Sequence, residues 1–213
     1  MKISVITPSI RPEYLNITQK CLENQTFNDF EWIVEIGLRN RGFRLPEDLN
    51  KMLKRAKGDV IFHLQDCISI ENDTLERVLL NHDTPNKLIT YPVGKKSGDS
   101  VKWDWRYYCT VKDPLQYSCW ETDMSSCEKR AFFDVGGYDE DFCNGWSWEN
   151  VEISARMDIA GYKVYCDPTI KGVALDHDNL VENPFRNKII NNDKKANETR
   201  RRAERGEFKL NFI

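Results

Sequence analysis

A few side chains in this sequence have a type and a setting that suit group-transfer chemistry. Asp66 lies in L-Q-D-C, directly after an apolar run. A carboxylate at such a strand end can hold a hard divalent cation, manganese or magnesium, over a diphosphate and neutralise the charge of a departing group. The alternative is an aspartate that caps the following turn. His177 stands in L-D-H-D beyond a second apolar run. It is either a second ligand for the same cation or a surface or capping histidine. The densest cluster is Trp146-Ser147-Trp148-Glu149-Asn150, preceded by Gly145. Two indoles offer flat faces on which sugar rings can stack, and a carboxylate beside them is partly desolvated, which raises its pKa and improves it as a general base. Alternatively, Glu149 steadies the start of a helix through the macrodipole and the tryptophans pack in a core. No G-x-x-x-x-G-K-[ST] loop occurs, no G-x-G-x-x-G follows the first strand, and neither G-x-S-x-G nor H-E-x-x-H is present. Phosphates would have to be met by a metal and scattered side chains.

The elements that must position these residues alternate through the first half. Lys2 to Thr7 reads as a strand, Pro12 to about Gln25 as a helix, Glu31 to Ile36 as a strand, and Pro46 to Lys57 as a helix that Gly58 caps. Asp59 to Leu64 is a third strand, a helix capped by Asn72 or Asp73 reaches Leu80, and Lys87 to Tyr91 is a fourth strand. Strand–helix–strand repetition implies right-handed crossovers and a largely parallel sheet. Ligands then bind beyond the carboxyl ends of the strands, which singles out the loops near Thr7, Ile36 and Gln65. In the second half, Val101 to Val111 alternates with aromatics and a short helix follows Ser125-Ser126. A helix from Trp148 to Ala160 ends at Gly161, Tyr162–Cys166 and Ile170–Leu175 read as short strands, and Asn183 to about Arg205 is a polar helix or frayed tail. Glu152 and Arg156, four apart, are expected to pair on the helix surface.

Composition bounds the class. The chain has 213 residues, 40% hydrophobic and 31% charged, which suits one folded domain with an irregular C-terminal half. No apolar run approaches the roughly 20 residues of a membrane-spanning helix. The net charge is −3, with no basic excess of the nucleic-acid-binding kind. The excess is local: Lys194 to Ile213 carries +4, which could meet phosphates or make weak contact with an anionic membrane surface, or simply form a solvated helix outside the core. Seven cysteines without C-x-x-C spacing speak for reduced thiols, and the start of the chain lacks a secretory h-region. A cytoplasmic location is expected.

Several stretches together resemble the family 2 glycosyltransferases, inverting enzymes with the GT-A fold. I-S-V-I-T-P-S-I-R-P at Ile3 to Pro12 resembles the family's first strand and nucleotide turn, and Asn50, Ala56 and Gly58 fall at the spacing of its N-x-G-x-x-x-A-x-G helix, with Met52 in place of the first glycine. L-Q-D-C occupies the place of the metal-binding D-x-D. F-D-V-G-G-Y-D-E at Phe133 to Glu140 resembles V-G-G-F-D-E, and G-W-S-W-E-N at Gly145 to Asn150, continued by Arg156 and Gly161, resembles the acceptor-side E-D motif. The sequence departs from the pattern at three further places. One carboxylate remains of D-x-D, V-D-D-G-S becomes V-E-I-G-L with Glu35, and the E-D pair is Glu149-Asn150.

The resemblance implies an α/β, Rossmann-like fold with a mostly parallel central sheet flanked by helices. Residues 1–182 would form one domain, with 1–92 as the nucleotide half and 93–182 as the acceptor half, followed by a basic C-terminal segment over 183–213. It implies inverting transfer from a nucleotide-diphosphate sugar, foremost a UDP-sugar, to an acceptor hydroxyl. Thr7, Pro8, Ser9, Arg11, Glu35, Asn50, Gln65 and Asp66 would frame the donor. Asp66 and His177 would hold a divalent cation, Glu149 would be the base, and Trp146, Trp148 and Asn150 would shape the acceptor pocket. A nucleotidyltransferase and a catalytically silent sugar- or partner-binding module are the alternatives.

Overall fold

β-Branched residues alternate between two covered faces in the first strand, β1 (Ile3–Ser9), and the same demand recurs through the chain. In the computed structural model, which describes residues 2–37, 44–143, 148–175 and 189–207, a 3-10 turn at Pro12–Tyr14 leads into α1 (Leu15–Glu23) and β2 (Phe30–Ile36). Next come α2 (Leu45–Arg55), β3 (Val60–Leu64), β4 (Ile68–Ile70), α3 (Thr74–Leu80) and β5 (Lys87–Thr90). The second half holds β6 (Val93–Ser97), β7 (Ser100–Trp103), a 3-10 turn at Trp105–Tyr108, β8 (Met124–Glu128), α4 (Lys129–Asp134), α5 (Glu149–Ile159), β9 (Lys163–Cys166), β10 (Gly172–Ala174) and α6 (Ile189–Glu204). No helix among the described residues is long and apolar enough to cross a membrane.

The central sheet has the order β2-β1-β3-β8-β5-β9, and every strand but β8 runs the same way. A smaller sheet, β4-β10-β6-β7, lies beside it. The mixed α/β architecture with a mostly parallel central sheet is the one expected. Ile3, Val5, Phe62 and Leu64 point into one core with Leu75 and Tyr91, whereas Ile6 and Ile61 point into the other with Leu53, Phe132 and Ile153. Strands covered on both faces must be apolar along their whole length, and β3 is buried throughout.

The sequence reading missed β8, and the reason is visible in its contacts. Ser125 and Ser126 occupy the middle of this strand, where an apolar pattern would be expected. Ser125 Oγ bonds His63 Nδ1 (3.1 Å), and Ser126 Oγ bonds His82 Nε2 (2.8 Å) and the Tyr91 hydroxyl (2.6 Å). These hydrogen bonds offset part of the cost of burying the hydroxyls, so burial of the strand is not announced by hydrophobicity. Gly58 has a different task from the helix cap expected of it. α2 stops at Arg55, and Gly58 lets the chain cross β1, where an added Cβ would come within 2.5 Å of the Ser4 amide. The basic segment is docked, not free. α6 packs on α5 with Ala203 buried, and Arg200 donates to the Tyr117 hydroxyl (2.9 Å).

The Glu152–Arg156 pair is also corrected. Both side chains are buried, Arg156 completely. Arg156 donates to both carboxylate oxygens of Glu152 (2.5 and 2.7 Å), to the carbonyl of Gly137 (2.7 Å) and to that of Val135. Gly136 and Gly137 lie at φ of 77° and 79°, and the guanidinium fastens that left-handed turn to α5. Four-residue spacing gives pairing but not depth, because it does not say which face of α5 is covered. Removing one partner leaves a buried charge uncompensated. Glu152→Ala should therefore lower the unfolding free energy by about 3–5 kcal/mol, and Glu152→Leu with Arg156→Met by clearly less. Urea unfolding of the three proteins checks this, and equal losses would contradict the buried-pair assignment.

Candidate active site

The carboxyl ends of β1 and β3 lie side by side, so Ser9 and Asp66 meet across the parallel pairing of the two strands. Ser9 Oγ donates to Asp66 Oδ2 (2.7 Å) and accepts from the Arg11 amide (2.9 Å). The Arg11 guanidinium closes the triangle on Asp66 Oδ1 (2.7 Å) and lies over the Tyr14 ring. Thr18 Oγ1, from α1, supports the turn by donating to the Asp66 carbonyl (3.1 Å). Of the residues expected to frame a nucleotide, Ser9, Arg11 and Asp66 thus form one bonded group, and Gln65 stands exposed beside it. Thr7 is buried just below, its hydroxyl accepting from Trp32 Nε1 (3.0 Å). Pro8 pairs in register with Glu35, whose carboxylate accepts from Arg55 (3.0 Å). Asn50 is buried and bonded within the fold. Its amide donates to the Tyr138 carbonyl and Glu140, and its oxygen accepts from the Tyr138 amide, each at 2.9 Å.

A second group faces the first. The Gln65 amide donates to the Asp123 carbonyl (3.0 Å), which brings the segment before β8 next to the Asp66 turn. The Asp123 carboxylate takes both terminal nitrogens of buried Arg106 (2.6 and 2.7 Å), whose other side is held by Asp104 (2.6 Å) and whose NH1 reaches Thr90 Oγ1 (3.1 Å). Sequence reasoning did not single out Arg106. The available signal was an arginine in W-D-W-R, two residues from an aspartate inside an aromatic run. Glu121 lies two residues before Asp123, and burial, followed by the charge of Asp123, raises its pKa. Asn150 Nδ2 joins α5 to this group by donating to the Trp120 carbonyl (3.1 Å) and to Glu121 (3.4 Å).

Glu149, the first residue of α5, is buried at 8% exposure, and its Oε2 has no hydrogen-bond partner among the described residues. Burial pushes its carboxyl up to about 7, its own backbone amide opposes this, and the charge of Glu121 adds to it. Such a group is poised to take a proton near neutral pH. Trp148 precedes it at φ 80°, a strained conformation for a residue with a large side chain. Trp146 and His177 lie outside the described residues.

Among the described residues no group of three His, Cys, Asp or Glu side chains is placed to hold a metal ion, and His177, expected as the second ligand beside Asp66, lies outside them. The Asp66 carboxylate is already neutralised by Arg11, and a cation bound there would sit against the guanidinium.

No family model matches this chain, and no curated protein matches it in sequence. Solved structures do match in fold. The crystal structure of S. aureus TarS 1-349 in complex with UDP-GlcNAc superposes with a TM-score of 0.62 at 14% identity, covering 84% of this chain and 59% of that one. TarS 1-349 in complex with UDP gives 0.58 at 13% identity, over 83% and 61% of the two chains. A further TarS crystal structure gives 0.60 at 15% identity, over 83% and 37%. The chain thus spans about 60% of the length of the TarS 1-349 structures and shares their fold.

The raised pKa of Glu149 has a consequence for stability. The folded state holds a proton that the unfolded state releases near 4.5, so the contribution is full below that pH and is lost as pH rises to about 7. Glu149→Gln removes the charge. It should stabilise the fold at pH 8 by about 3 kcal/mol relative to wild type, with the difference vanishing near pH 4.5. Urea midpoints at both pH values decide the matter, and a destabilised variant at pH 8 would make Glu149 a structural residue.

Proposed function

We propose that this chain is an inverting glycosyltransferase that moves a sugar from a nucleotide-diphosphate sugar, foremost a UDP-sugar, to an acceptor hydroxyl. The observation that carries this reading is a buried, high-pKa carboxylate at the start of α5, its Oε2 without a hydrogen-bond partner among the described residues, in a fold that also gathers Ser9, Arg11 and Asp66 at its strand ends and is shared with a protein crystallised with UDP and UDP-GlcNAc. In this proposal residues 1–92 hold the donor and residues 93–182 present the acceptor.

The reaction is one in-line displacement. The acceptor oxygen bonds to the anomeric carbon as its proton passes to Glu149 Oε2, and the bond from that carbon to the phosphate oxygen breaks with both electrons leaving on the diphosphate. Arg11 swings from Asp66 onto the diphosphate, where a planar guanidinium matches two phosphate oxygens. Asp66 and Ser9 hold Arg11 ready for that step. Asn150 keeps Glu121 beside Glu149, and the repulsion between these carboxylates favours the protonated base that results.

Slow release of UDP from one of a panel of UDP-sugars is the expected result for the isolated protein. Glu149→Gln should slow acceptor-dependent turnover by roughly a hundredfold to ten-thousandfold while donor affinity stays within about twofold. Turnover near wild type would exclude Glu149 as the base. UDP affinity measured by calorimetry should survive chelation of divalent ions and fall roughly tenfold to a hundredfold in Arg11→Met. A collapse on chelation would assign the neutralising charge to a metal instead.

A further inference from the structure

We infer that the β6–β7 hairpin and the 3-10 turn after it form a platform for an anionic oligosaccharide, the acceptor chain of the proposed transferase or a glycan to which it is tethered. The choice of a glycan rests on the transferase reading; the platform itself does not. Residues 93–112 carry five basic and two acidic side chains, a local +3 in a chain of net −3, interleaved with four aromatic rings. Flat rings among lysines suit a ligand that offers apolar sugar faces and negative groups together.

The register places Lys96 of this set on the same face as Trp103. Gly94 pairs with Trp103 and Lys96 with Val101, so the side chains of Trp103, Val101 and Lys96 share a side of the hairpin. Gly94 is required there. A Cβ would come within 2.3 Å of Val101 and 2.9 Å of Trp103, so both side chains lie down over the glycine and flatten the surface. Tyr107 stacks on Trp103 with centroids 4.7 Å apart and planes 14° from parallel, and Tyr108 meets Tyr107 edge-on. Lys171 lies over both stacked rings, 5.9 Å from Trp103 and 5.4 Å from Tyr107. Tyr108 is 69% exposed. Large rings and lysine stems held in order at the surface contribute little to the core.

The platform is tied to the candidate active site. Arg106 lies in the same 3-10 turn as Tyr107 and Tyr108 and is anchored inward on Asp123, two residues from Glu121. That bond fixes the rings relative to the segment before β8. Lysines also guard exposed strand edges, and Lys102, on the edge strand β7 and on the reverse face, suits that task. That role gives no reason for Lys171, which comes from outside the hairpin and reaches over the rings.

Binding of hexagalacturonate, an anionic six-sugar chain, is compared with that of neutral maltohexaose by calorimetry, for the wild type and for Lys96→Glu, Lys171→Glu and Tyr108→Ala. Anionic binding at least tenfold tighter than neutral, weakened about tenfold by each substitution and by high salt, is the expected result. Equal affinity for both sugars, or variants that bind like the wild type, would overturn the inference. So would binding to vesicles containing anionic lipid, lost in the same variants, if the hexasaccharide does not bind. Tyr108→Ala removes an exposed side chain, so its result stands even if a charge reversal disturbs the hairpin. Hydrolysis of UDP-sugars by the same samples separates the two readings. Hydrolysis with unaltered glycan binding in the variants rejects the platform alone, and platform-dependent glycan binding without hydrolysis rejects the transferase alone.

Discussion

A guanidinium can be taken out of water only if its N–H groups find acceptors, and Arg106 meets that condition by drawing distant pieces of chain to one point. Its acceptors come from the end of β5, from the residue before its own 3-10 turn, and from the residue before β8. Each of these segments has a second duty. The end of β5 borders the smaller sheet, Asp104 also accepts the amide that starts β6, and the Asp123 carbonyl receives Gln65 beside Asp66. One buried cation and two carboxylates therefore tie the Asp66 turn, the segment before β8 and the start of β6 together. Loss of either acid would leave N–H groups of a buried guanidinium without their acceptors.

A similar device recurs around α5. Arg156 gathers the carbonyls of a left-handed glycine turn onto α5, and Asn50 ties the next residues of that segment to α2. These contacts fix the stretch leading toward α5 from both flanks. Rigidity at its ends is what a buried carboxylate with an unpartnered oxygen requires, because the surroundings must not relax to solvate it.

Much of the fold was legible because strand and helix periodicity are properties of neighbouring residues. β1, β2, β3, α2 and α5 could be read to within a few residues, and the L-Q-D-C and W-E-N stretches were correctly placed at a strand end and a helix start. What escaped depends on partners far away in sequence. β8 is buried through serines whose hydrogen-bond partners lie on β3 and near α3 and β5, and no window around Ser125 contains them. The depth of Arg156 depends on Val135 and Gly137, and Arg106 had no local pattern beyond an adjacent aspartate. Asn50 shows the reverse case. The motif spacing drew attention to it, and the structure shows its amide engaged with backbone.

Trp148 stands in a backbone conformation that glycine or asparagine would occupy with less strain. Glycine there would relieve a local tension of about 1–2 kcal/mol and would also delete the indole. A chain selected for stability alone would drift toward the smaller residue. Exchanging Trp148 for glycine would therefore trade the flat indole face before α5 for a relaxed turn, so stability and that face cannot both be kept at this position.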